Sequence, residues 1–340
     1  MNVGPPIVVI GYLAVLHRLR APRLPWGGGE GEVCQPLLSS LTCDAPLVAA
    51  HLNALGVRAG YVLSHPGRRP LDALLLGLLP LWADPIRVGP WRGDPTEWEI
   101  STDDGQRVWF NCPTAGVESL RECAAGTALP GSLVYVDAYP WLASASIDVL
   151  SAIRPTGTVL VNFGRMDGQT ARQYVISCKR RLPNADILPQ VCAPDLTSDV
   201  SRRSVFRQVC EETGCPLALI TSNGEGLGLG GSDRFHWWAP PRHVAVTDTS
   251  GAGAAVSATL LHHLLQRGGQ WSEDTVRRLG EAGLRQCWVD GALPLAAQAE
   301  WNAHERRTRH DPSLSYDPAT IGTTVPKTTF IDDDNRREGY

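Results

Sequence analysis

Thr247-Asp248-Thr249-Ser250-Gly251-Ala252-Gly253-Ala254-Ala255-Val256 follows a β-like run, Val244-Ala245-Val246, and opens an apolar-periodic segment from Val256 to Leu265. The order is strand, glycine-rich turn, helix start. Gly251 and Gly253 let the backbone take positive φ and approach a ligand closely. The first amides of the following helix have no intrahelical acceptor, and the helix dipole is positive there. Two readings of the turn stand. It is a corner that holds an anion, most often a phosphate, or a βα turn that binds nothing.

The chain around it alternates strand and helix patterns. Ile7-Val8-Val9-Ile10-Gly11 is a continuous β-branched run closed by glycine, the pattern of a buried parallel strand. Leu133–Asp137 and Thr158–Phe163 read as strands around a helix over Ala143–Ile153, and Ala185–Gln190 and Leu217–Thr221 read as two more. The expected fold class is α/β, a doubly wound, mostly parallel sheet flanked by helices. Ligands of such sheets bind beyond the carboxyl ends of strands. Asp137, Asn162 and Arg165 are therefore candidate pocket residues, each of which also reads as a helix cap or a surface partner. Asp44 to Gly56 reads as a helix with Asp44 as N-cap and Gly56 as stop, followed by a strand over Val57–Leu63. Trp98–Phe110 reads as a β-hairpin turning at Asp103-Asp104-Gly105. Trp91, Trp98 and Trp109 either line a pocket or an interface or simply cover a sheet.

Composition limits the function. The chain has 340 residues, 43% of them hydrophobic, enough for a large core. Its 31 basic and 35 acidic residues give a net charge of −4 and are well mixed, so neither nucleic acid nor a membrane surface is expected as partner. Nine cysteines without CxxC pairs point to reduced thiols and a cytoplasmic location, not to a disulfide framework or a zinc site. The stretch Leu71–Trp82 is too short to span a membrane, and Ile7–Leu16 reads as a strand, not a leader. No metal-ligand set is read from spacing. Residues 301–340 are polar and charged, as in an extended tail.

Asp248-Thr249-Ser250-Gly251-Ala252-Gly253 resembles the C-terminal signature of the ribokinase-like sugar kinases, the PfkB family. The resemblance spans roughly residues 5–300, and only this run is specific. It implies a ribokinase-like α/β domain over 1–300 with a small β lid, in segments about 12–43 and 91–112. It implies ATP with Mg2+, a small hydroxyl-bearing substrate and a possible homodimer through the lid. Gly251, Ala252 and Gly253 take the place of the anion hole. Thr221, Asn223, Gly224, Gly226 and Asp248 take places that border the nucleotide. His17, Asp44, Leu47, Asp137, Asn162 and Arg165 fall on the substrate side.

The departures from the family pattern are as informative. Ala254 stands where the family carries the Asp that activates the substrate hydroxyl, and a methyl group accepts no proton. Leu16, Thr42-Cys43 and Leu47 replace sugar-binding positions, and Gln190-Val191-Cys192-Ala193 replaces an Asn-x-x-Glu that organises magnesium-bound water. The expectation is a PfkB-like nucleotide-binding protein that acts as an ATP-dependent phosphotransferase if active. The alternatives are an inactive pseudokinase with a binding or regulatory role, or a scaffold repurposed for another reaction. For the last, no Ser-His-Asp or Cys-His set is legible from spacing.

Overall fold

In this computed structural model the described residues are 6–21, 35–36, 40–81, 83–102, 107–123, 133–155, 157–164, 168–193, 196–222, 226–239 and 251–268. Within them the strands in chain order are β1 (Ile7–Gly11), β2 (Ala14–Ala21), β3 (Gln35–Pro36), β4 (Ser40–Thr42), β5 (Ala59–Leu63), β6 (Ala83–Val88), β7 (Thr96–Thr102), β8 (Arg107–Cys112), β9 (Leu133–Asp137), β10 (Thr158–Asn162), β11 (Asp186–Cys192), β12 (Ala218–Ser222), β13 (Gly226–Gly230) and β14 (Phe235–Trp238). The helices are α1 (Asp44–Ala54), α2 (Pro70–Leu78), α3 (Thr114–Cys123), α4 (Ala143–Ile153), α5 (Gly168–Arg181), α6 (Asp199–Thr213) and α7 (Ala252–Gln266).

The main sheet has nine strands in the order β14-β13-β12-β11-β10-β9-β1-β5-β6. It is parallel from β12 to β6, and the β12-β13-β14 end is antiparallel. The continuous apolar runs explain the parallel part: β1, β5, β9 and β10 are buried along their whole length because both faces are covered. Alternation splits β1 between two layers. Ile7 and Val9 pack with α1, α2 and α7, while Val8 and Ile10 pack with α3, α4 and α5. Helix α6 covers β12 through Phe206, Val209 and Ile220.

The second sheet is small, ordered β3-β2-β7-β8 with β4 added to β2. Strands β2 and β7 are parallel, and β7 and β8 form the antiparallel hairpin. The expected α/β class, with a separate small sheet, is what the chain adopts.

Two local readings are settled here, one of them by a change. Asp44 does not cap α1: Cys43 holds the N-cap position and Asp44 is the first helical residue. Its carboxylate is engaged across the sheet instead, as described below. Gly56 does end α1, at φ 82°, with its N–H donating to the carbonyl of Asn53.

Candidate active site

Three residues from separate segments meet at the carboxyl ends of β9 and β10. Asn162, the last residue of β10, is the register partner of Asp137, the last residue of β9. The side-chain amide of Asn162 donates to Asp44 Oδ2 at 2.6 Å and to the Tyr135 hydroxyl at 2.9 Å. The Tyr139 hydroxyl donates to the same Asp44 oxygen at 2.6 Å. Asp137 Oδ1 accepts from the Tyr135 hydroxyl at 2.8 Å, and its Oδ2 accepts from the Ala45 amide at 3.0 Å. The sequence-derived candidates Asp44, Asp137 and Asn162 thus form one hydrogen-bonded cluster at the first turn of α1.

Gly11 makes room for it. A Cβ at that position would overlap Ala45 Cβ and Asp137 Oδ2. Asp137 is fully buried, whereas Asp44 keeps part of its surface exposed. Burial pushes both carboxyls above their ordinary range. At Asp44 the hydrogen bonds from Tyr139 and Asn162 oppose that rise; at Asp137 the neighbouring charge of Asp44 adds to it.

The sequence reading missed Tyr135 and Tyr139. Tyr135 stands two residues before Asp137 in a strand, and residues so spaced share a face, which was a usable signal. Tyr139 stacks on Trp141 with centroids 5.8 Å apart, and Trp141 meets Tyr12 edge-on at 5.0 Å. A further polar contact forms just before α1, where the Cys43 thiol donates to Glu97 Oε1 of β7 at 3.7 Å.

The glycine-rich corner is the start of α7. Gly251 is its N-cap in the left-handed region, at φ 78°. Ala252 and Gly253 form the first turn, and a Cβ at Gly253 would meet none of the described residues within 4 Å. The first amides of α7 have no acceptor within their own helix, a geometry that suits a phosphate. Ala254 is fully buried in the layer shared with α1. The Ser257 hydroxyl, one turn further, donates to Gln190 Oε1 at 2.7 Å and contacts the Gly253 carbonyl at 2.9 Å. Gln190 is in turn the register partner of Asn162. The first turn of α1 thus meets Asn162, and the second turn of α7, through Ser257, meets its register partner Gln190.

The remaining candidates divide. Thr221 pairs with Cys192 in β12, and its carbonyl accepts from the Ala193 amide at 2.9 Å. Gly226 opens β13 at φ 118°, where a Cβ would strike the Trp238 carbonyl. Leu47 is partly buried against the α1–α7 layer. His17 lies in β2 with its ring 4.6 Å from that of Trp98, in the small sheet, and is not part of the Asp44 cluster. Asp248, Asn223, Gly224 and Arg165 lie outside the described residues. Among the described residues no group of three or more His, Cys, Asp or Glu side chains could hold a metal, and no helix is long and apolar enough to cross a membrane.

No protein-family model matches the sequence, and no curated protein matches it. Solved structures do match. A nucleoside kinase of Burkholderia thailandensis in complex with inosine superposes with a TM-score of 0.61 at 18% identity, over 84% of this chain and 90% of that one. Ribokinase of Arabidopsis thaliana, complexed with ribose and ATP, gives 0.57 at 18% identity, over 87% and 96%. The nucleoside kinase of Methanocaldococcus jannaschii, an archaeal member of the ribokinase family, gives 0.58 at 12% identity, over 85% and 90%. The architecture, the small second sheet and these superpositions together establish that the chain has the ribokinase-like fold.

Proposed function

We propose that the chain is a divergent PfkB-like phosphotransferase. It binds a nucleoside triphosphate with its phosphates at the first turn of α7 and acts on a hydroxyl of a small polar molecule held near Asp44, Asp137 and Asn162. One observation carries the reading: the start of α7, through Ser257, and the carboxylate cluster at α1, through Asp44, meet the paired strand residues Gln190 and Asn162. A phosphate on one side and a hydroxyl-bearing group on the other is the pairing that phosphoryl transfer needs, since that reaction depends mainly on positioning and electrostatics.

The residues present fit a nucleotide phosphate. Gly251 caps α7 at positive φ, the first amides of the helix lack an intrahelical acceptor, and a Cβ at Gly253 would meet none of the described residues within 4 Å. Mg2+ fits only as an ion carried by the phosphates and water, a common arrangement for that metal. Position 193, where the family places a carboxylate, is Ala. The solved structures of this fold include kinases in complex with inosine and with ribose and ATP, which supports a polyhydroxylated substrate.

A second reading is a nucleotide-binding protein without turnover. Ala254 and Ala193 favour it, because both lack the carboxylate that the family uses there. Calorimetry of ATP binding with and without Mg2+, plus ATP turnover over a panel of sugars, nucleosides and simple alcohols, separates the two. Binding with turnover supports the transferase. Binding without turnover, in the native chain and in Ala254→Asp, supports the binding protein. Absence of nucleotide binding removes both.

A further inference from the structure

We infer that Asp44 is the general base of this site and stands in for the carboxylate missing at position 254. The inference rests on the phosphotransferase reading above. A general base must reach the substrate hydroxyl, so it needs an accessible oxygen near the phosphate corner. Asp44 offers an oxygen that takes no donor among the described residues, on a helix that shares one apolar layer with α7. Its Oδ2 takes the hydrogen bonds from Tyr139 and Asn162, while Oδ1 accepts none among the described residues. The residue keeps part of its surface exposed. Through Asn162 and its strand partner Gln190 it is joined to Ser257 and Gly253, in the first turns of α7.

Asp137, the other carboxylate of the cluster, offers no accessible oxygen. It is fully buried, and its two oxygens are taken by Tyr135 and by the Ala45 amide. Asp72 is also fully buried, with both oxygens held by Arg69. The surroundings of Asp44 suit a base for another reason. Two donors on one oxygen fix the rotamer, so the free oxygen is presented at a set angle, and ordering it costs little when substrate arrives. Burial raises the carboxyl above its ordinary range, which makes it a stronger base than an exposed carboxylate.

The step balances. The substrate oxygen forms a bond to the terminal phosphorus, and the bond from that phosphorus to the β–γ bridging oxygen breaks. Its electron pair leaves with the nucleoside diphosphate. The hydroxyl proton passes to Asp44 Oδ1 and is later released to water. Among the described residues Tyr135, Tyr139 and Asp137 are the titratable groups that face Asp44, and Tyr139 is the one in direct contact.

The test compares the native chain with Asp44→Asn, Ala254→Asp, the double variant and Asp248→Asn. The last carries the neutralised carboxylate nearest in sequence to the corner. ATP affinity by calorimetry serves as the folding control, since an asparagine side chain in place of Asp44 keeps a carbonyl oxygen that accepts from Tyr139 and Asn162. The expected result is a loss of about 10²–10⁴-fold in kcat for Asp44→Asn, with ATP affinity kept. The acid limb of the pH–rate profile should stand above the ordinary carboxylate range in the native chain and vanish in Asp44→Asn. Ala254→Asp should restore turnover to the Asp44→Asn chain.

Native turnover that survives Asp44→Asn within twofold, or that falls only with Asp248→Asn, overturns the assignment while the kinase reading stands. Nucleotide binding without native turnover, with turnover gained by Ala254→Asp alone, also overturns it: the chain then has a working phosphate corner and no base of its own. A chain that binds no nucleotide removes the phosphotransferase reading and the base together.

Discussion

Cys43 shows how a residue's identity can hide the backbone it serves. It sits at φ 75° and ψ 150°, a region that is close to glycine's alone. The backbone there is one that glycine adopts freely, yet the side chain is a cysteine's. In return the thiol reaches Glu97 at 3.7 Å, a weak contact by the standards of hydrogen bonds. Strain in such regions costs about 1–3 kcal/mol, and a glycine gives back about 0.5–1 kcal/mol in chain entropy. Cys43→Gly should therefore stabilise the fold by about 1 kcal/mol, read as a higher urea midpoint at unchanged slope. Cys43→Ala removes the thiol and keeps the strain, so it should not stabilise. A gain in Cys43→Ala equal to that in Cys43→Gly would refute the strain account. Asp44 teaches a related lesson. A residue type that favours N-caps stands one position inside the helix, because its carboxylate is claimed by Tyr139 and Asn162 from other segments. No local pattern carries that information.

At the scale of elements, α2 is the joint between the two sheets. It opens at Pro70, and Asp72 in its first turn is fully buried. Asp72 accepts from the Arg69 backbone amide at 2.9 Å, from its Nε at 2.8 Å and from its Nη2 at 3.1 Å. The same guanidinium donates to the Pro95 carbonyl at 2.7 Å and to Thr96 Oγ1 at 2.9 Å, at the start of β7. One carboxylate therefore holds the arginine that ties α2 to the small sheet. Asp72→Ala should destabilise the chain by about 2–3 kcal/mol, below the full cost of breaking a buried pair because Arg69 is partly exposed. It should also expose the β7–β8 hairpin to faster hydrogen exchange than the main sheet. Uniform exchange across both sheets in that variant would count against this linking role. The helix itself is hard to read from sequence. Leu71, Leu74 and Leu81 stay exposed while Leu75 and Leu79 are buried, so the leucines show no clean period. By contrast β1, α4 and β9 fall where the apolar runs and helical spacing place them. Their burial is complete or strictly one-sided, which is the condition under which pattern reports structure.

For the whole molecule, the doubly wound sheet is legible because its central strands are buried on both faces and read as unbroken apolar runs. The site is legible only in part. Asp137 and Asn162 are visible as strand ends, but the link from Asn162 through Gln190 to Ser257 depends on strand register, which a single sequence does not specify. The small sheet poses the remaining question at this scale. His17, Trp98 and Phe110 are register partners across three adjacent strands, so they line one face of it. Trp98 is 42% exposed and Phe110 55% exposed. A row of aromatic rings across an exposed sheet is costly to leave in water and is the kind of patch that marks an interface. A twofold dimer would place each row against its own copy, as self-complementary contacts require. Sedimentation should then show a dimer in the native chain, and Phe110→Glu should return it to monomer with the fold intact. Each copy would bring a carboxylate to the shared patch as well as lose apolar area, so repulsion is added where attraction is removed. A native chain that stays monomeric at about micromolar concentration, where an interface of standard size would hold, would assign these rings to covering the sheet and nothing more.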